Sequence, residues 1–285
     1  MKKIFAFSAF VLTVLLFATC DKIEGPFFDV LNSEEVTVEF PELDPSTVYR
    51  KILFEEFTAH YCQNCPSGHQ TLESLHQQYG DTLVAVGIHC TPLADPRGTL
   101  YSYNFRTDAG DEIGETFGIE SIPAAIINRC YVEGGISRSQ WFNEVRALER
   151  TQASAAIQLI NEYDDVTEML KANVKVTMLK DYSSPLRLGI FLLEDGVVKP
   201  QKDGNQDIEN YIHNHVLRAS FTDPFGMSLR EGSSSWKAGD TELYASSLDF
   251  SATDWVAYNC SVVAFLYDPD KREVIQVEKV NVINR

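Results

Sequence analysis

Residues 50–66 read RKILFEEFTAHYCQNCP. Ile52, Leu53, Phe54 and Phe57 make an apolar run of strand length, which ends in a turn carrying Cys62 and Cys65. Pro66 suits the first turn of a helix, where its missing N–H costs nothing. Leu72, Leu75 and Tyr79 then fall on one helical face, and Gly80 is a fitting stop. A buried strand that delivers a CxxC to a helix start is a way to build a reactive thiol. The first helical amides and the helix dipole favour the thiolate, drawing a cysteine pKa from about 8.5 into the ~3.5–7.5 range. Two plainer uses of the pair are weaker. As a staple, a four-residue loop contributes only ~2 kcal/mol. As a zinc site it lacks a second CxxC.

Downstream, Leu83–Ile88 is a continuous apolar run, as expected of a parallel strand covered on both faces. Thr91–Gly110 is a Pro- and Tyr-rich insertion in which Tyr101, Tyr103 and Phe105 alternate; they either line a peptide groove or pack the loop down. Ile113 and Phe117 mark a short helix. Ile122-Pro123 leads into the apolar strand Ala124–Ile127, and Trp141, Val145 and Leu148 mark a further helix ending near Arg150.

Upstream, Lys2-Lys3 precedes an almost wholly apolar segment, Ile4–Phe17, which is too short for a comfortable membrane span. Together with Cys20 it has the form of an export signal. The segment 16–20 resembles a lipoprotein signal, in which Cys20 is lipidated and becomes the new N-terminus. Residues 1–19 are then the signal peptide and 20–45 a tether.

Beyond residue 150 the pattern changes to strands alone, at Ala155–Ile160, Met169–Met178, Leu186–Leu193, Tyr211–Phe221, Glu242–Leu248, Cys260–Tyr267 and Val274–Val282. Several alternate apolar with polar, and Tyr267-Asp-Pro-Asp-Lys271 is a hairpin turn. Seven strands without a helix predict an all-β sandwich of immunoglobulin or fibronectin type over residues 151–285.

The order strand, CxxC helix, strand, helix, Ile-Pro strand, helix resembles the thioredoxin fold over residues 46–150. The predicted fold class is therefore an α/β thioredoxin-like domain followed by an immunoglobulin-like sandwich. The resemblance implies a buried acid at Glu56, six residues before Cys62, that exchanges protons with Cys65, and a cis proline at Pro123 facing the CxxC. Tyr61 replaces the usual tryptophan and Gln63-Asn64 the usual Gly-Pro, which leaves the redox potential and the direction of exchange open. The signal segment, RKILFEEFTAHYCQNCP, Ile122-Pro123 with Asn128-Arg129, and Tyr211–Arg218 (YIHNHVLR) together resemble the outer-membrane protein 28 lipoprotein family. That family implies a bacterial outer-membrane address, on the periplasmic side or at the cell surface, without a settled activity.

The expected site is Cys62 as nucleophile, Cys65 as resolving thiol, Glu56 as proton shuttle and Pro123 beside them, with the adjacent Glu55 leaving the register of the acid open. No cofactor is expected and no metal. His60 and His69 lie near the CxxC, but a copper-delivery pattern would need a different cysteine spacing and a distant histidine. His213 and His215 would share one strand face without a third ligand. Cys90, Cys130 and Cys260 are read as buried thiols.

The chain carries 24 Lys+Arg against 41 Asp+Glu, a formal charge of −17, or −19 once Lys2 and Lys3 are removed. Such a surface repels phosphate backbones, so nucleic acid is not an expected partner. Two functions remain open on the sequence. One is thiol–disulfide exchange with protein thiols or disulfides. The other is a non-enzymatic surface lipoprotein whose sandwich binds a protein partner while the CxxC is a structural disulfide.

Overall fold

A computed structural model describes residues 34–283 except 149, 231 and 232; the signal segment and Cys20 lie outside the described residues. The first part of the chain forms β1 (Ile52–Thr58), α1 (Cys65–Tyr79), β2 (Leu83–His89), α2 (Asp108–Thr116), β3 (Ala124–Ile127), β4 (Ile136–Ser137) and α3 (Trp141–Ala147). It is followed by β5 (Ala155–Asp164), β6 (Met169–Met178), β7 (Arg187–Glu194), β8 (Val197–Asp203) and β9 (Gln206–His213). The last elements are β10 (Val216–Ser220), β11 (Met227–Ser228), β12 (Thr241–Asp249), β13 (Cys260–Asp268) and β14 (Glu273–Asn281).

Every residue of β1 and of β2 is buried, as the apolar runs Ile52–Phe54 and Leu83–Val86 lead one to expect, and the burial extends to Glu55, Glu56, Thr58 and His89. Along β1, Ile52 and Phe54 pack under α1 with Leu72, Leu75 and Trp141. Leu53 and Phe57, on the opposite face, join Val86, Ile88 and Ile113. The two-residue period of the strand therefore sends Glu56 to the α1 face and Glu55 to the other.

The expected α/β domain followed by a separate sandwich does not form. Strands dominate the described residues, and one nine-stranded sheet runs through both halves of the chain in the order β14-β13-β7-β10-β2-β1-β3-β4, with β11 also on β7. The junction is the parallel pairing of β10 with β2 at Val216 and Gly87, where the Gly87 amide donates to the His215 carbonyl at 2.6 Å. A Cβ at Gly87 would stand 3.2 Å from that carbonyl oxygen, tighter than an ordinary contact, so glycine suits the close approach.

Two physical reasons underlie the difference. An open edge on β2 would leave a row of unpaired backbone groups, which β10 satisfies in part. The core beneath is also shared: Leu53, Val86 and Ile88 pack with Phe191, Leu193, Val263, Phe265 and Val277 from the second half. On the far side a three-stranded sheet, β12-β6-β5, stacks over β7 and β13, burying Val174 and Val176 against Leu188, Ile190, Val262 and Ala264.

Two strands differ from the sequence reading. Tyr211–Phe221 is not one strand: it breaks at Asn214-His215, where His215 takes φ 58°. β8 lies between the strands expected at Leu186–Leu193 and Tyr211–Phe221, where the sequence reading has no strand. Pro200 is accommodated at a register shift between Lys199 and Gln201, in a two-stranded hairpin with β9.

Candidate functional site

Cys62 and Cys65 form a disulfide with a Cα–Cα distance of 5.4 Å. Cys65 is the first residue of α1 and Pro66 the second; Cys62 lies in the preceding turn, its amide donating to the Ala59 carbonyl at 3.1 Å. Cys62 is 3% exposed and Cys65 fully buried. The Ile122-Pro123 peptide bond is cis, and the Ile122 carbonyl oxygen lies 3.7 Å from Cys62 Sγ. Pro123 and Glu56 meet behind the disulfide against Gly68, one turn beyond Cys65. A methyl group at Gly68 would stand 2.6 Å from Glu56 Oε1 and 2.9 Å from Pro123 Cβ. The fold thus brings Cys62, Cys65, Glu56 and Pro123 to one place.

The two adjacent acids have different surroundings. Glu55 receives the Arg129 guanidinium, Nη2 at 2.7 Å and Nε at 3.1–3.2 Å, with both side chains fully buried. Arg129 also donates to the Pro224 carbonyl at 2.6 Å and lies 4.4 Å from the Phe265 ring centroid. Glu56, 3% exposed, has no hydrogen-bond partner on Oε1, and burial raises its pKa well above the usual carboxylate range.

Residues of the second half close over the CxxC turn. The Lys202 amide donates to the His60 carbonyl at 2.7 Å, and the Gly204 amide to the Gln63 carbonyl at 3.0 Å. Gln201, fully buried, donates its side-chain amide to the carbonyls of Ala59 (3.2 Å) and Cys62 (3.0 Å). No local signal marks Gln201, because its partners Ala59 and Cys62 lie 142 and 139 residues earlier in the chain. The aromatic insertion packs down here. Tyr101 is buried, meets Tyr61 edge-on and donates its hydroxyl to Asp207 at 2.6 Å; Phe105 stacks on His89 with centroids 4.3 Å apart.

All six histidines of the chain gather on this side of the molecule. His69, His89, His213 and His215 line a cavity of about 290 Å³ together with Glu56 and Tyr211. His69 Nε2 is 2.9 Å from Thr58 Oγ1 and 3.9 Å from Glu56 Oε1; its Nδ1 is 2.7 Å from the Tyr211 hydroxyl. Burial, with a contribution from His215, pulls the His69 pKa down to about 4. Burial, with a contribution from His69, pulls His213 down to about 3. These imidazoles are neutral near pH 7. Their convergence was not visible in the sequence, which has His69 and His213 far apart and suggested a shared strand face for His213 and His215. Among the described residues no three His, Cys, Asp or Glu side chains are arranged to hold a metal ion. Cys90 and Cys260 are buried thiols, as expected, but Cys130 is exposed. Among the described residues no helix is long and apolar enough to cross a membrane.

The family described as outer membrane protein Omp28 matches residues 111–285, a span that excludes the CxxC. Among solved structures, HBP35 of Porphyromonas gingivalis is similar over 83% of this chain and 76% of its own, with a TM-score of 0.58 and 18% identity. A domain of the outer membrane lipoprotein Omp28 from Porphyromonas gingivalis is 26% identical over 47% of this chain and 93% of its own, with a TM-score of 0.32. No curated protein matches the chain.

Proposed function

The chain belongs to the Omp28 family of outer membrane proteins, and on that premise we propose that it performs thiol–disulfide exchange on the cysteines of exported proteins. The observation that carries this reading is the Cys62–Cys65 disulfide at the start of α1 with the buried carboxyl of Glu56, whose Oε1 accepts no hydrogen bond, close behind it. A buried acid costs stability, and a purely structural disulfide has no use for one. A thiol that must be protonated as it leaves does.

In this mechanism a partner thiolate attacks Cys62, the more exposed sulfur, and Cys65 leaves. The dipole of α1, whose first residue is Cys65, favours the departing thiolate. Glu56 supplies its proton. The backbone around Ile122-Pro123 flanks Cys62 and offers the partner chain a surface beside the reacting sulfur.

Cys20 is the proposed lipid-anchoring residue, tethering the folded part to the outer membrane. Acyl labelling of the exported protein should disappear in Cys20→Ala, and persistent labelling would refute the anchor.

The decisive experiment is an equilibrium redox titration of the Cys62–Cys65 pair, combined with trapping of partners by Cys65→Ser. A midpoint above about −300 mV and mixed disulfides through Cys62 are expected. A pair well below about −300 mV, with neither thiol reactive once reduced, favours a second reading: a binding lipoprotein with a structural disulfide. The 3% exposure of Cys62 is the observation on that side.

A further inference from the structure

Glu56 is buried and has to be recharged with a proton after each reduction of the disulfide. Outward from Glu56 Oε1 the next ionisable group is His69, its Nε2 at 3.9 Å, and His69 Nδ1 is 2.7 Å from the Tyr211 hydroxyl. Tyr211 belongs to β9, in the hairpin that closes over the CxxC turn, and its ring is partly exposed. Both residues line the cavity of about 290 Å³ on which Glu56 also borders. We propose that His69 and Tyr211 form the path by which Glu56 exchanges protons with solvent, an inference that rests on the thiol-exchange reading for its use in turnover.

The chemistry balances in both directions. A partner thiolate forms a bond to Cys62 Sγ, the Cys62–Cys65 bond breaks, and its electron pair leaves on Cys65, which takes the Glu56 proton. The His69 ring exchanges its 2.9 Å contact with Thr58 Oγ1 for the Glu56 carboxylate, closing the 3.9 Å gap, and the carboxylate takes its Nε2 proton. Nδ1 of His69 takes the Tyr211 hydroxyl proton, and water restores the tyrosine. The partner's second thiol loses its proton to solvent and attacks the mixed disulfide at the partner's own sulfur. That step releases Cys62 and leaves the partner oxidised, and this chain reduced, by two electrons. Reoxidation sends the proton back along the same groups and restores the first His69 tautomer.

The electrostatics suit the task. Burial and the neighbouring His215 keep His69 neutral, so one ring nitrogen can accept while the other donates. Burial, then the nearby Glu56, push the Tyr211 hydroxyl up to about 12, so it remains protonated. The groups facing His69 are Glu56, Thr58, Tyr211, His213 and His215; none carries a fixed positive charge that would hold the proton back. His69 and Tyr211 are positioning residues for proton supply, acting through Glu56.

The test uses the exported chain, dithiothreitol as the reducing partner, and three variants: His69→Gln, Tyr211→Phe and Glu56→Gln. Reduction should slow about 10- to 100-fold in each, within the lower range of proton-transfer catalysis. The pH profile and the solvent deuterium isotope effect should change, and His69→Gln combined with Glu56→Gln should be no slower than Glu56→Gln alone. Wild-type rates and isotope effects in both His69→Gln and Tyr211→Phe, with Glu56→Gln slow, would overturn the path. A second arm does not need exchange activity. The infrared carboxyl band of Glu56, assigned through Glu56→Gln, shifts as its proton exchanges with deuterium. That exchange should be at least about tenfold slower in His69→Gln and in Tyr211→Phe, the latter removing only a hydroxyl. Unchanged exchange rates overturn the proposal. A wild type inert to reducing partners but with the expected exchange slowing would sink the functional reading and leave the proton path standing.

Discussion

Gln201 donates its side-chain amide to the Cys62 carbonyl at 3.0 Å, tying the CxxC turn to a strand 139 residues later in the chain. The same amide reaches Ala59, and the side chain is fully buried, so the turn is held by a group that water does not compete for.

Gln201→Ala should leave the Ala59 and Cys62 carbonyls without this donor in a buried setting. A loss of about 0.5–1.5 kcal/mol is expected, since the two carbonyls still accept the amides of Cys62 (3.1 Å) and Cys65 (3.4 Å). Reduction of the disulfide by dithiothreitol should become faster as the hairpin lifts. Urea melts and reduction kinetics check this; unchanged values for both would show that the hairpin backbone bonds alone hold the turn.

Arg129→Met should be among the most damaging single substitutions. It strands the Glu55 carboxylate in a site where both side chains are fully buried. Breaking such a pair costs roughly 3–5 kcal/mol, and replacing both members together with apolar residues should recover much of it. Denaturant unfolding of Arg129→Met and of Arg129→Met with Glu55→Leu tests the difference; equal stabilities would contradict it.

Acidification should destabilise the fold between about pH 6.5 and pH 3. His60 and His69 titrate near 4 and His213 near 3 in the folded chain, mainly because of burial, against 6.5 when unfolded. In that window the unfolded chain binds more protons, so stability is present above 6.5 and is lost as pH falls through the folded values. Each pKa unit corresponds to about 1.4 kcal/mol, so the combined effect is several kcal/mol in order of magnitude. Glu56 acts in the opposite sense. Its raised pKa stabilises the fold below about 4.5 and withdraws that support as pH rises. Glu56→Gln should therefore melt at a higher temperature than wild type at pH 7–8 and lose this advantage near pH 4. Thermal melts across pH 4–8 would expose a flat profile, or a constant offset, as contrary results.

Gly68→Ala should disturb Glu56 and Pro123 together. The added methyl would stand 2.6 Å from Glu56 Oε1 and 2.9 Å from Pro123 Cβ, and Pro123 is part of a strand entry with little room to yield. Overpacking of this kind costs about 1–3 kcal/mol. The infrared carboxyl band of Glu56 should shift as well. A stable variant with an unchanged band would mean that the carboxyl moves away freely.

Much of the site was legible locally. The strand of residues 52–58, the CxxC at a helix start and the Ile122-Pro123 entry to a strand each rest on neighbours within a few residues. Strand periodicity also contained the answer for Glu55 and Glu56, because alternate residues face opposite sides. It could not say which side held Arg129 and which side held α1, since Arg129 lies 74 residues from Glu55.

The sequence by itself determined the elements of the first half, the acidic balance of charge and the family. Those depend on composition, on hydrophobic period and on short motifs. Only the tertiary structure decided that both halves share one sheet, that β8 exists despite Pro200, and that four scattered histidines line a cavity with Glu56. The physical reason is that edge pairing and shared burial are long-range choices. The edge of β2 accepts β10 because their backbones complement one another and because Val86 and Phe191 need a common core. No local pattern in either segment records the other.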